Sequence, residues 1–132
     1  MQKVAIRLRD LIGDVDQIVS SPYVRARQTA EILSQIFFET KVVEAVELVP
    51  HSPAQAFVRW LQAHGRNHKA LLIVGHEPQL SMFASYLLAK SPESFLEIKK
   101  SGIACLEVGL AGDISPGCAQ LRWLVPPRLL EV

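Results

Sequence analysis

Two cysteines, Cys105 and Cys118, are too few for a disulfide framework, and their spacing makes no zinc pattern. They read as buried thiols on strands in a reducing cytoplasm. No apolar run approaches the length of a membrane span, and the first residues lack the apolar core of a signal peptide. Excess charge is scarce as well. A formal net charge of +1 provides no bulk field for nucleic acid or an anionic membrane, so neither is expected as a partner. Any anion must be held locally. What is present is a composition of 49% hydrophobic and 20% charged residues, without repeats or low-complexity tracts. That fits a globular protein large enough for one core, so residues 1–132 read as a single domain.

Apolar spacing orders the elements. Val4, Leu8, Leu11 and Ile12 recur at helical intervals in a helix that starts at Met1 without cap or lead-in, and Gly13 suits its end. Such a start suggests that something once preceded it. Asp16 to Ser20 reads as a short buried strand. A helix from about Tyr23 to Phe37 follows, with Ala26, Ala30, Leu33, Ile36 and Phe37 turned inward. Val42 to Val46 is a β-branched strand, leading through Glu47-Leu48-Val49-Pro50 into a loop. Ser52 and Pro53 signal the start of a helix carrying Ala54, Phe57, Val58 and Leu61. Ala70 to Val74 is a continuous apolar run, the mark of a strand buried on both faces of a parallel sheet. Gln79 to Ala89 is another amphipathic helix. Gly102 to Val108 and Ala119 to Val125 read as an antiparallel hairpin around a longer loop bearing Gly109, Gly112, Asp113, Pro116 and Gly117. Alternation of strands and helices up to Ala89 implies an α/β sheet with helices on both faces.

In sheets of this kind ligands bind beyond the C-terminal strand ends, and two of these ends carry chemistry. After Ile18-Val19 comes Ser20-Ser21-Pro22. Ser21 is a natural helix cap, and Pro22 suits a first helical position that needs no amide donor. A helix N-terminus attracts anions, and Arg25, one turn in, can grip a phosphate with two parallel hydrogen bonds. The second loaded end is Gly75-His76. The glycine allows a tight turn or a close approach, and His76 can donate a hydrogen bond or, as imidazolium, stabilise a dianion. By themselves these features define an anion pocket and no more. His51 and His68 read as loop histidines, and His64-Gly65-Arg66 lies between a helix and a strand. No ligand cluster has metal spacing, so neither a metal nor an organic cofactor is implied.

Ser21-Pro22-Tyr23-Val24-Arg25-Ala26-Arg27-Gln28-Thr29-Ala30 resembles the SP-x-x-RA-x-QTA signature of the histidine phosphatase superfamily. Val74-Gly75-His76-Glu77-Pro78 resembles its second histidine motif. Order and spacing are similar to those of the small SixA-like phosphohistidine phosphatases, as are the Glu47-Leu48-Val49-Pro50 loop and Lys100-Ser101-Gly102 before the last hairpin. The resemblance implies a three-layer α/β/α, phosphoglycerate mutase-like fold, mostly parallel with a C-terminal antiparallel hairpin. It also implies two arginines and two histidines around a phosphoryl group, one histidine becoming transiently phosphorylated. Arg25 would then be the helix-borne clamp, His76 the second histidine, and Ser21 a further contact. The implied substrate is a phosphorylated protein (phosphohistidine) or a small phosphate ligand.

The sequence departs from this pattern at one point. The family's nucleophile lies in an Arg-His-Gly motif at the end of a first central strand, and no Arg-His-Gly occurs in these residues. The expectation is therefore an N-terminally shortened product with its first central strand missing and no nucleophile of its own. A non-catalytic pseudophosphatase is the alternative. The strand ending at Val74 should expose an unpaired apolar edge, open to homodimerisation or strand exchange. Members of the subgroup are implied to lack a separate carboxylate acid. Glu47 could approach the pocket as one, and Glu77 caps the next helix or lies in solvent.

Overall fold

The computed structural model describes residues 2–65, 68–108 and 113–130. Met1, Gly109 and Gly112, and Arg66 of the His64-Gly65-Arg66 string, lie outside the described residues.

Three parallel strands make the main sheet. They are β1 (Gln17–Ser20), β2 (Val42–Glu44) and β3 (Leu71–Val74), in the spatial order β2-β1-β3. Period-two alternation sends neighbouring side chains to opposite faces. Ile18, Leu72 and Val74 face one cluster, built with Ala5 and Leu8 of α1 (Gln2–Ile12) and Ala26, Ala30 and Leu33 of α2 (Val24–Ile36). Val19, Leu71 and Ile73 face the other cluster. It holds Phe57, Val58 and Leu61 of α3 (Ala54–His64) and Phe83 and Leu87 of α4 (Gln79–Ala89). The result is a three-layer α/β/α arrangement. None of these helices is long and apolar enough to cross a membrane, among the described residues.

A separate antiparallel pair, β4 (Ile103–Glu107) and β5 (Gln120–Val125), follows α4, with a register shift between Cys105 and Leu106. Its two faces reach the same two layers: Ile103 and Trp123 pack on the α1/α2 side, Leu106 on the α3/α4 side. Yet no hydrogen-bonded strand joins this pair to β3, among the described residues.

Some local expectations are corrected. Leu72 and its neighbours in β3 are half-buried rather than buried on both faces, because β3 is the edge strand of its sheet; only Val74 is buried. Leu11 is 60% exposed, since the buried stripe of α1 is Val4, Ala5 and Leu8, which turns Leu11 to its margin. The second strand stops at Glu44, and Val46–Leu48 forms a 3-10 turn. Cys105 is half-buried on β4, whereas Cys118, also half-buried, precedes β5. Neither Ser21 nor Ser52 caps a helix. The N-cap positions of α2 and α3 are Tyr23 and Pro53, without side-chain caps.

Candidate functional site

The parallel register brings the two motifs together. Ser20 pairs with Val74, and the Ser21 amide donates to the Val74 carbonyl at 2.9 Å. Beyond this pair the chains leave the sheet side by side, carrying Ser21, one residue on, and His76, two residues on, to its C-terminal edge. Gly75 makes this exit with little room. A Cβ there would lie 3.2 Å from Leu80 Cδ2 and 3.8 Å from the Leu48 carbonyl oxygen, so close packing rather than a tight turn calls for glycine.

Ser21 is fully buried and its hydroxyl is the link between the motifs. Its Oγ accepts the Tyr23 amide at 3.2 Å and lies 2.8 Å from His76 Nε2. With one lone pair on Tyr23, the hydroxyl can donate its proton to the Nε2 of a neutral ring, placing the ring proton on Nδ1. Towards an imidazolium it can accept instead. Burial lowers the pKa of His76 and so favours the neutral ring. On its other side the imidazole meets the Tyr23 ring edge-on, with centroids 5.4 Å apart and planes at 61°.

Tyr23 stands at the N-cap of α2 and its side chain makes no cap bond, while the Ser21 hydroxyl two residues earlier serves the Tyr23 amide and His76. The amides of its first turn have no partner within the helix, and with the helix dipole they hold positive potential at that end. Arg25 is exposed and stands in this first turn. No ion pair or hydrogen bond engages its guanidinium among the described residues. Arg27, two residues on, is committed to Glu31 at 2.6 Å and Glu44 at 3.4 Å. Pro22, Tyr23, Val24, Arg25 and His76 line one open cavity of about 510 Å³. The two groups expected to converge, Arg25 and His76, thus share a cavity.

The remaining candidates fall elsewhere. Glu77 turns back on α4. Its Oε2 accepts the Ser81 amide at 2.8 Å, and its Oε1 accepts the Ser81 hydroxyl and, at 3.2 Å, the Ile98 amide. It caps that helix and ties down the segment before the hairpin. Glu47 sits half-buried on the 3-10 turn, outside the lining of the cavity. His51 is exposed in a turn. His64 stacks on Trp60 at 4.6 Å, and with His68, Gln17 and Glu44 it lines a second cavity of about 260 Å³. Among the described residues no group of three or more His, Cys, Asp or Glu could hold a metal. What residue spacing did not reveal is the uncapped start of α2 and the place of Tyr23. Its only signal was an aromatic at an N-cap position, where short polar side chains are preferred.

A three-stranded parallel sheet between helix pairs, followed by a C-terminal antiparallel pair, is a SixA-like fold. The protein histidine phosphatase SixA complexed with tungstate superposes with a TM-score of 0.81 at 21% identity, covering 98% of this chain and 80% of that one. Phosphohistidine phosphatases described as putative SixA proteins of Nakamurella multipartitia and Agrobacterium tumefaciens give 0.73 and 0.67, both at 20% identity. They cover 93% and 94% of this chain and 77% and 80% of theirs. No family model matches. In sequence, the chain is 36% identical over 128 residues to an uncharacterised protein of Picosynechococcus sp. strain PCC 7002, covering 96% of this chain and 78% of the relative. It is 33% identical over 129 residues to an uncharacterised protein of Mycobacterium tuberculosis, covering 92% and 79%. The chain belongs to the family of these two uncharacterised proteins.

Proposed function

We propose that the cavity between the start of α2 and His76 binds phosphoryl groups, and that the chain is the substrate-holding part of a SixA-like phosphohistidine phosphatase. The observation that carries this reading is an arginine without a carboxylate partner among the described residues, beside a helix N-terminus without a side-chain cap and a histidine, all at one sheet edge. Arg25 grips two phosphoryl oxygens through a planar fork of donors. First-turn amides of α2 take a third. His76, poised neutral, becomes imidazolium as the dianion arrives and stabilises charge on the transferring oxygens. SixA, a protein of the same fold, is solved complexed with tungstate, an oxyanion, which supports the reading. Of the carboxylates near the strand ends Glu44 pairs with Arg27 and Glu77 is committed to α4, so an acid role, where a substrate needs one, falls to Glu47.

Covalent turnover needs a nucleophile as well, and these 132 residues contain no Arg-His-Gly. The residues in hand hold phosphohistidine or a small phosphate, and hydrolysis needs the nucleophile of an Arg-His-Gly motif besides. Cytoplasmic, reducing surroundings suit the two unpaired thiols, and the whole acts as one domain. Titration with inorganic phosphate and a phosphohistidine peptide, followed through the His76 ring signals, tests the reading. Arg25→Ala removes a charge-assisted pair and should weaken binding roughly 10- to 100-fold. Equal affinity in the variant would dispose of the assignment. Assaying hydrolysis beside a version extended by upstream in-frame coding sequence separates the holder from the enzyme. A second reading, self-association through a strand edge, is favoured by the open side of β3.

A further inference from the structure

The cavity of about 510 Å³ falls among those that hold whole small molecules or side chains, more room than a phosphoryl group takes. Beyond Arg25 and His76 its lining is Pro22, Tyr23 and Val24, all apolar or aromatic. Tyr23 is 53% exposed and Val24 70% exposed, so neither is spent on the core. Tyr23 also does nothing for the helix it precedes, since its side chain makes no cap bond at a position that favours short polar residues. What holds Tyr23 is its neighbours. Its amide is pinned to Ser21 Oγ, and its ring meets the His76 imidazole edge-on. An aromatic ring so placed stands next to whatever group carries the phosphorus, and aromatic faces prefer other flat rings in offset or edge geometry.

We propose that Tyr23 is a specificity residue of this site, selecting phosphoryl groups carried on a planar ring, an imidazole or a phenol, over those carried on alkyl oxygen. The proposal rests on the phosphoryl-binding reading above and adds to it the nature of the carrier. Phosphorus sits between Arg25 and His76, and the ring that bears it lies along Tyr23 with Pro22 and Val24 as its apolar rim.

Phenyl phosphate, N-phosphoimidazole and cyclohexyl phosphate, the last matched in size but not flat, test this against the full chain, with inorganic phosphate as reference. The expected result is a roughly three- to tenfold preference for the flat carriers over cyclohexyl phosphate, the size that aromatic pairing supplies. Tyr23→Ala should bring the ratio to about one, and Tyr23→Phe should keep it. Tyr23 is outside the core, so both variants should retain the wild-type melting temperature. Equal affinity for phenyl and cyclohexyl phosphate in the wild type, or a preference that survives in Tyr23→Ala, overturns the proposal while leaving phosphoryl binding intact. Failure of inorganic phosphate to bind at all overturns both. Preference for phenyl phosphate without N-phosphoimidazole, or the reverse, upholds the role of Tyr23 and identifies the ring.

Discussion

A single hydroxyl organises the site at the scale of residues. Ser21 is buried, receives the Tyr23 amide and reaches His76 Nε2, so it orients the imidazole in either protonation state. Ser21→Ala should release the ring. In the wild type above neutral pH the Nδ1–H tautomer should dominate the nitrogen shifts of His76, and in the variant the two tautomers should mix. The titration of His76 has a definite sign as well. Burial holds its pKa below the ordinary 6.5, so the unfolded chain binds the proton first as pH falls. Its contribution to stability is present above 6.5 and is lost as pH falls through the lower, folded value. Bound phosphate should reverse the shift, because a dianion favours the imidazolium. Ring signals followed against pH, with and without phosphate, should show the midpoint move upward. No movement would place the anion elsewhere.

Elements matter through their ends. α4 begins under its own carboxylate, Glu77, whereas α2 begins bare, and this difference makes one helix start structural and the other available to an anion. At the opposite edge of the sheet, Asp16 performs a similar service for the strands. Its Oδ2 accepts the Lys69 amide and, at 3.1 Å, the Ala70 amide, while its own amide donates to the Ala70 carbonyl at 2.8 Å. Those amides lower the carboxyl pKa, the Ala70 contribution being the larger. A depressed carboxylate stabilises the fold above its unfolded value of 3.8, and the benefit disappears as pH falls through the folded value. Asp16→Asn should therefore lower the melting temperature at neutral pH and flatten its dependence on acid. A melting curve in the variant as steep in pH as the wild type would mean that another group carries the effect.

Over the whole molecule, the side of β3 away from β1 carries no strand partner among the described residues. Leu71, Leu72 and Ile73 keep part of their surface accessible, and the β4–β5 pair shares both packing layers with β3 without joining its ladder. An apolar strand edge of this kind invites a further strand. Sedimentation over a range of concentrations should show association, and replacing Ile73 by lysine should suppress it. A monomer at every concentration would mean that the edge is protected within one copy.

Much of this arrangement is legible from residue order alone. The apolar run at Leu71–Val74 and the alternation of Ile18 and Val19 give strands in a two-sided sheet, because side-chain period is a local property of the backbone. Ser21, Arg25 and His76 are visible as chemistry from their motifs. What the sequence could not decide is how partners are shared. Ser21 stands two residues before the N-cap position of α2 and holds the Tyr23 amide, and only the parallel pairing of Ser20 with Val74 places His76 within reach of its hydroxyl. A hydroxyl offers one proton and two lone pairs, and which neighbour receives them depends on contacts 55 residues apart in the chain.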